Sequence, residues 1–304
     1  MTDSTPSVPR PIRPRRSVLY MPGANARALE KARTLPADVL ILDLEDAVAP
    51  DAKAVARSQV SDAVQADAYG SREVVIRVNG PDTVWWDEDL SAAVSAKPDA
   101  VLVPKVSSAE SVQSISQAMK TAGVQTGTTL WIMIETPLAI LNIAEIAAAA
   151  QLPDGLLTCF VLGTNDLAKD TGASLDSDRF AMVPWLAQSV VAARAYGVDV
   201  IDGVYNNFKD VDGFEAECRQ GMLLGMDGKT LIHPGQIEAA NRLFSPDAET
   251  ISWSRKIISA FEHPENVGLG VITVDGKMVE RLHAEMARKT VAIADAIDGL
   301  SVAR

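Results

Sequence analysis

The sequence predicts an α/β fold, a (β/α)8 barrel with additional C-terminal helices, on three observations. Short runs rich in Val, Ile and Leu recur eight times along the chain, with helical patterns between them. The runs are nearly continuous in apolar residues rather than alternating, as parallel strands buried on both faces are. A chain of 304 residues that is 47% hydrophobic is also of ordinary size for one such barrel. Strand–helix alternation implies right-handed crossovers between parallel strands. A doubly wound open sheet has the same periodicity and stays open as the alternative.

The chain starts with MTDSTPSVPRPIRPRR (1–16), basic and dense in proline, which reads as a disordered arm. It has no apolar centre, so it is not a secretory signal. The expected strands are SVLYMP (17–22), VLILDLE (39–45), EVVIRVN (73–79) and AVLVPKV (100–106), then LWIMIET (130–136), CFVLGTND (159–166), DVIDGVY (199–205) and KTLIHP (229–234). Between them lie helical patterns such as DAKAVARSQVSDAVQ and AESVQSISQAMKTAG. The barrel is thereby expected over residues 17–245. Residues 246–304 read as a helical extension: DAETISWSRKIISAFEHPE as a helix, GLGVITVDG as an extended or turning segment, and KMVERLHAEMARKTVAIADAI as a long last helix. Packing of that helix on its own barrel and packing across a neighbouring subunit are both open.

A net charge of −12 argues against nucleic acid or an anionic membrane as the main partner. A small anionic substrate is compatible with it if local cations or a metal overcome the overall field. No run of 18 apolar residues occurs. Cys159 and Cys218 form neither a CxxC nor a zinc spacing, so they read as buried, inert thiols in a reducing compartment. The expected location is the cytoplasm.

A barrel of this kind carries its active site where strands end and the following loops begin. The expected strand ends hold Tyr20, Glu45 and Asp46, Arg77 and Asn79, Lys105, Glu135, Asn165 and Asp166, Asp202 and His233. One acid at a strand end is a helix cap; several at successive strand ends point to a shared site, since charges are rarely buried unless paired or metal-bound. Glu135 and Asp166 end consecutive strands and are the metal candidates. Magnesium takes one or two carboxylates and leaves positions for water and an oxygen-rich substrate. The alternative for each is a cap on the helix behind it. His233, His263 and His283 show no ligand spacing. Arg77 is a planar, bidentate grip for a carboxylate, or else an internal salt bridge to a rim acid. Lys105 is a Schiff-base candidate that a metal would make redundant, which favours an ion pair. GLGVIT (268–273) lacks the third glycine of a dinucleotide fingerprint, and there is no GxSxG elbow and no P-loop.

SVLYMPG, LDLEDAV, IRVNG, VLVPKV, IETPLAILN, GTNDLAKD and LIHPGQI, in that order over residues 17 to 240, together resemble the citrate lyase β-subunit-like branch of the HpcH/HpaI aldolase superfamily. A weaker likeness runs on to about residue 290. The resemblance implies a (β/α)8 barrel, a Mg²⁺ site and reversible carbon–carbon cleavage of a 3-hydroxyacyl thioester of the malyl- or citramalyl-CoA type. By motif it puts Glu135 and Asp166 on the family's metal ligands and Arg77 on its substrate-carboxylate arginine, with Glu135 also at the substrate. Glu45 and Asp46 match catalytic acids near the metal. Leu44-Glu45-Asp46 stands where the branch acting on free oxo acids resembles Gly-Glu-His, which favours the thioester branch. In GKMVERLH, Glu280 occupies the place of an aspartate that the family uses for acid–base work, from its own chain or from a neighbouring subunit. The implied partners are a CoA thioester and a 2-oxo acid, in a homo-oligomer, a trimer or a multiple of three. A citrate lyase β subunit acting on citryl-acyl-carrier protein, a metal-dependent 2-oxo-acid aldolase, and a degenerate barrel serving only as a partner subunit are the alternatives.

Overall fold

The computed structural model describes residues 12–302 apart from residue 177. Eight strands, β1 (Ser17–Pro22), β2 (Val39–Asp43), β3 (Glu73–Arg77), β4 (Ala100–Val103), β5 (Thr129–Ile134), β6 (Leu157–Leu162), β7 (Asp199–Asp202) and β8 (Gly228–Leu231), form a closed barrel in sequential order. Every neighbouring pair is parallel. β8 returns to β1 through Ser17↔Lys229 and Leu19↔Leu231, which rules out the open sheet. The helices of the barrel are α1 (Ala26–Ala32), α2 (Lys53–Gln65), α3 (Trp86–Ala96), α4 (Ala109–Thr121), α5 (Pro137–Leu141), α6 (Ile143–Ala148), α7 (Thr164–Thr171), α8 (Val183–Tyr196), α9 (Val211–Leu224) and α10 (Ile237–Leu243).

The strands begin within two residues of the expected starts and, from β2 on, end two to four residues sooner. The reason is burial beyond the ladder. Leu44, Val78 and Val106 follow their strands and are still packed in the core, so the apolar run outlasts the strand. Side-chain period two divides each strand between two cores. Val18, Val39, Ile41, Val75, Leu102, Trp131, Met133, Cys159, Val161 and Ile201 fill the barrel interior. Leu40, Leu42, Ile76, Val101, Ile132 and Phe160 point outward to Leu29, Val60, Ile115 and Met119 of the helices.

The expected arm 1–16 is too long at its C-terminal end. Arg15 and Arg16 are buried parts of the barrel. Arg15 lies 4.7 Å over the Trp131 ring, donates to both carboxylate oxygens of Glu73 at 2.7 and 2.8 Å, and pairs with Asp199. Arg16 grips Asp38 at 2.7 and 2.8 Å. Two basic residues that read as arm in sequence thus close the N-terminal end of the barrel, where acids at strand starts receive them. Residues 1–11 lie outside the described residues.

Residues 15–244 form one compact unit; a second contains residues 245–304. It consists of α11 (Ala248–Glu262), the antiparallel hairpin β9 (Val271–Val274) and β10 (Lys277–Glu280), and α12 (Arg281–Val302). Ile257, Phe261, Ile272, Val274, Val279, Ala284 and Ala287 make its core. The long last helix therefore starts four residues later than its sequence pattern suggests. Asp275 and Gly276, at φ +48° and +77°, form the two-residue turn that hairpins favour, and Lys277–Glu280 are taken into a strand. Both cysteines are buried free thiols, and burial pushes Cys218 up to about 12. Among the described residues no helix is long and apolar enough to cross a membrane.

Candidate active site

The inward series changes character at the C-terminal end of the strands. β2 runs Val39, Ile41, Asp43 and β3 runs Val75, Arg77 on the same face, each apolar below and ionised above. On β5, Trp131 and Met133 are followed by Glu135, one residue beyond the strand. On β6 the same face continues to Gly163.

Arg77 organises one side of this rim. Its Nε and Nη2 donate to the two oxygens of Asp43, each at 2.6 Å. Burial opposes ionisation of Asp43, but the guanidinium and the N–H groups of Glu45 and Ala47 hold its carboxyl below the usual range. Nη1 of Arg77 lies 2.7 Å from Glu45 Oε2 and 3.6 Å from the Met133 sulfur, and the guanidinium stacks 4.8 Å from the Tyr20 ring. The Glu45 contact is an ion pair without hydrogen-bond alignment, because Oε2 is buried and accepts no hydrogen bond. Burial raises the Glu45 carboxyl, with Asp46 and Asp43 adding to the rise against Arg77. Asp46 is mostly exposed, 3.8 Å from Arg77 Nη1.

Glu135 organises the other side. Thr136 Oγ1 caps α5 by accepting the Ala139 N–H at 3.0 Å, so Glu135 is not the cap. Instead it is 2% exposed and accepts the Lys105 N–H at 2.7 Å. Lys105 reaches this geometry at φ +57°. Gly163 makes the approach possible: a Cβ there would sit 2.7 Å from Glu135 Oε2. Burial, then the charges of Glu45 and Asp166, pushes Glu135 up to about 7. Asp166 lies in the first turn of α7, whose N-cap is Gly163, and Lys169 and Lys105 Nζ approach it at 3.5 and 3.8 Å. Lys105 is thus an exposed ion-pair lysine.

Three carboxylates of one rim therefore repel each other, with Glu135 deeply buried. An oxygen-only donor set with surplus negative charge fits a hard divalent cation. Among the described residues no group of three or more His, Cys, Asp or Glu side chains converges as a complete cage. A cation on Glu135 and Asp166 would complete its shell with water or ligand oxygens, as magnesium does.

Not every expected rim residue belongs to this site. Asp202 follows the inward Ile201 and so faces outward. It is fully buried against Arg179 and Lys229, at 2.8 and 3.0 Å. His233 caps the turn after β8 and stacks on Phe208, with ring centroids 4.6 Å apart. Asn165, in the first turn of α7, and Asn206, in the loop after β7, exchange amide hydrogen bonds. Glu280 is the last residue of β10, not a helical residue, and belongs to the second unit.

Residues 16–234 match the model of the HpcH/HpaI aldolase/citrate lyase family. The chain belongs to this family. It is 49% identical over 284 residues to a (3S)-malyl-CoA thioesterase of Cereibacter sphaeroides, covering 93% of this chain and 96% of the relative. It is 34% identical to citrate lyase subunit beta of Escherichia coli, covering 94% and 95%. Among solved structures, CitE from Mycobacterium tuberculosis in complex with magnesium, acetoacetate and coenzyme A is similar at TM-score 0.71 and 26% identity, covering 94% of this chain and 98% of that one.

Within this family member the sequence reading missed two residues of the site's framework. The internal salt bridge expected as the alternative for Arg77 is present, but its partner is Asp43, which the expected strand ends do not include. Both are the last residues of adjacent strands, in register, which the expected strand ends two residues further on conceal. Lys53 has no strand-end position in the sequence. Its signal was a lysine in the apolar stripe of α2, with Ala56 and Val60.

Proposed function

We propose that this protein is a magnesium-dependent enzyme acting on a malyl-CoA-type 3-hydroxyacyl-CoA thioester, with hydrolysis to the free hydroxy acid and CoA as its net reaction. The observation that carries the substrate class is the rim itself: a guanidinium fixed by Asp43 beside a buried Glu135 that the half-buried Asp166 repels, a pair suited to a cation. That combination suits a 2-hydroxy carboxylate, which offers a carboxylate to Arg77 and further oxygens to a metal. Hydrolysis is put first because of the 49% identity to the malyl-CoA thioesterase.

Glu135 and Asp166 would hold the magnesium. When bound, it supplies charge neutralisation and Lewis acidity to the oxygens it touches. Arg77 binds the substrate carboxylate with the donors that Asp43 leaves free, displacing Glu45 from its ion pair. Glu45, buried and raised, then takes or returns a proton at the reacting end. Tyr20 and Met133 wall the guanidinium and keep water from it. Asp46, at the exposed edge, orders water at the mouth. Glu280 is the carboxylate proposed to enter from a second copy in a homo-oligomer.

A second reading, carbon–carbon cleavage to an acyl-CoA and a 2-oxo acid, is favoured by the 34% identity to citrate lyase subunit beta. The same groups serve it: the hydroxyl proton is removed, the bond breaks, and the enolate is reprotonated. Incubation with malyl-CoA, with and without Mg²⁺, followed by mass spectrometry separates the two. Malate with free CoA is the expected product, and glyoxylate with acetyl-CoA marks cleavage. No turnover with Mg²⁺ would overturn both.

A further inference from the structure

The turn that carries Glu45 and Asp46 is held by charged groups of opposite sign. From one side, Asp43 accepts the N–H of Glu45 at 2.9 Å and of Ala47 at 3.0 Å while it grips Arg77. From the other, Lys53 Nζ donates to the carbonyl oxygens of Leu44 and Glu45, each at 2.8 Å, and to Asn79 Oδ1 at 2.9 Å. These three acceptors use all three ammonium donors. The peptide unit between Leu44 and Glu45 thus has its N–H on a buried carboxylate and its C=O on a buried ammonium. Neither of its polar groups is free to turn toward water.

Lys53 is itself held. It is 6% exposed, opens α2 on the same stripe as Ala56 and Val60, and lies 5.0 Å over the Trp85 ring. Asn79 also donates to the Leu44 carbonyl and, at 2.6 Å, to Asp89, which in turn pairs with Arg57. A surface lysine on a helix would leave its head group in solvent. Burying an ammonium is costly unless it is paired and hydrogen-bonded, and this one is spent on two backbone carbonyls of the site's own turn.

From this geometry we propose that Lys53 is a positioning residue, which sets the Glu45 carboxylate against Arg77 by fixing the backbone of residues 44–46. It touches neither substrate nor the proposed metal ligands. The inference rests on the reading that Glu45 serves the reaction. A displacement of about 1 Å at such a group costs on the order of 10²-fold in rate.

The test is a double-mutant cycle of Lys53→Met and Glu45→Gln in the full-length protein, scored by kcat and KM for malyl-CoA, with Mg²⁺ affinity by calorimetry. Lys53→Met should lower kcat by about 10- to 100-fold, leaving KM and Mg²⁺ affinity nearly unchanged. In the Glu45→Gln background, the same change should have little further effect, because coupled residues are not additive. Full additivity, or wild-type turnover in Lys53→Met, overturns the inference alone. Wild-type turnover in Glu45→Gln overturns the role of Glu45 and the inference with it. If Lys53→Met does not fold, Lys53→Gln, which keeps two of the three donors on a shorter side chain, should show a smaller loss with the same lack of additivity. Crystal structures give a readout independent of the substrate. Glu45 should leave Arg77 in either Lys53 variant while the Asp43–Arg77 pair stays, and an unmoved Glu45 overturns the inference.

Discussion

Asp43 and Arg77 are partners in the β2–β3 register and are joined by two parallel hydrogen bonds of 2.6 Å. The fork of a guanidinium matches a carboxylate edge, so both side chains lose their freedom together. Arg77 thereby reaches the rim in an orientation dictated by the neighbouring strand. Its Nη1 lies against Glu45 as an ion pair and donates to the Met133 sulfur.

Replacing Asp43 by Asn should destabilise the fold by about 3–5 kcal/mol, the range for breaking a buried pair. The lower end is expected, because Glu45 stays beside Arg77. The folded-state pKa of Asp43 is lowered, so its contribution is complete above the unfolded value, near pH 4, and is lost as pH falls through the folded value. Chemical denaturation should show a difference between wild type and variant that is constant from about pH 5 to 8. That difference should shrink in more acid solution. A difference independent of pH would detach Asp43 from the stability of the barrel.

Arg77→Lys keeps the charge and removes the fork. The loss is expected in kcat/KM for malyl-CoA, somewhat below the 2–5 kcal/mol or so of a fully truncated buried charge pair, since one contact survives. Binding of CoA alone should not change. An equal weakening of CoA binding would place Arg77 outside the carboxylate pocket.

Glu135→Gln and Asp166→Asn should each abolish Mg²⁺ binding by calorimetry and turnover together. Without metal, Glu135→Gln should be at least as stable as wild type, since it removes a buried charge that Glu45 and Asp166 repel. Tight Mg²⁺ binding in both variants would refute the proposed ligands.

At the opposite end of the barrel, Arg15→Met should cost stability without touching catalysis. It removes the partner of Glu73 and Asp199 and the cation above Trp131, a loss of about 3–5 kcal/mol. The thermal midpoint should fall while kcat at 25 °C holds, as expected for the face away from the site. Deleting residues 2–11, which keeps Arg15, should leave both unchanged.

Glu280 bears on the proposed oligomer. Glu280→Ala should lose about 10²–10⁴-fold in rate. Mixing it with Asp166→Asn under subunit exchange should restore part of the activity, because one chain supplies the metal pocket and the other the acid. Full activity in Glu280→Ala would remove that residue from the reaction.

The sequence by itself determined a parallel α/β fold and the strand starts, because eight apolar runs, each too continuous for a one-sided sheet, must be buried on both faces; closure of β8 onto β1, which sets the barrel apart from the open sheet, only the structure decided. It also placed Arg77 and Glu135 where two of those strands end, whereas Asp166, expected at a strand end, lies in the first turn of α7. What only the tertiary structure decided was the face each residue takes. In a run that is apolar throughout, period two leaves no mark, so Asp202 reads as a rim acid, whereas Ile201 points inward and Asp202 meets Arg179 and Lys229. Partners were equally out of reach: Arg15 finds Glu73 and Asp199 only when the barrel closes, and Lys53 finds the Leu44 and Glu45 carbonyls only when α2 packs against the end of β2. Local sequence sets which apolar residues are buried; which charges join them in the interior depends on strands and helices that lie far apart along the chain.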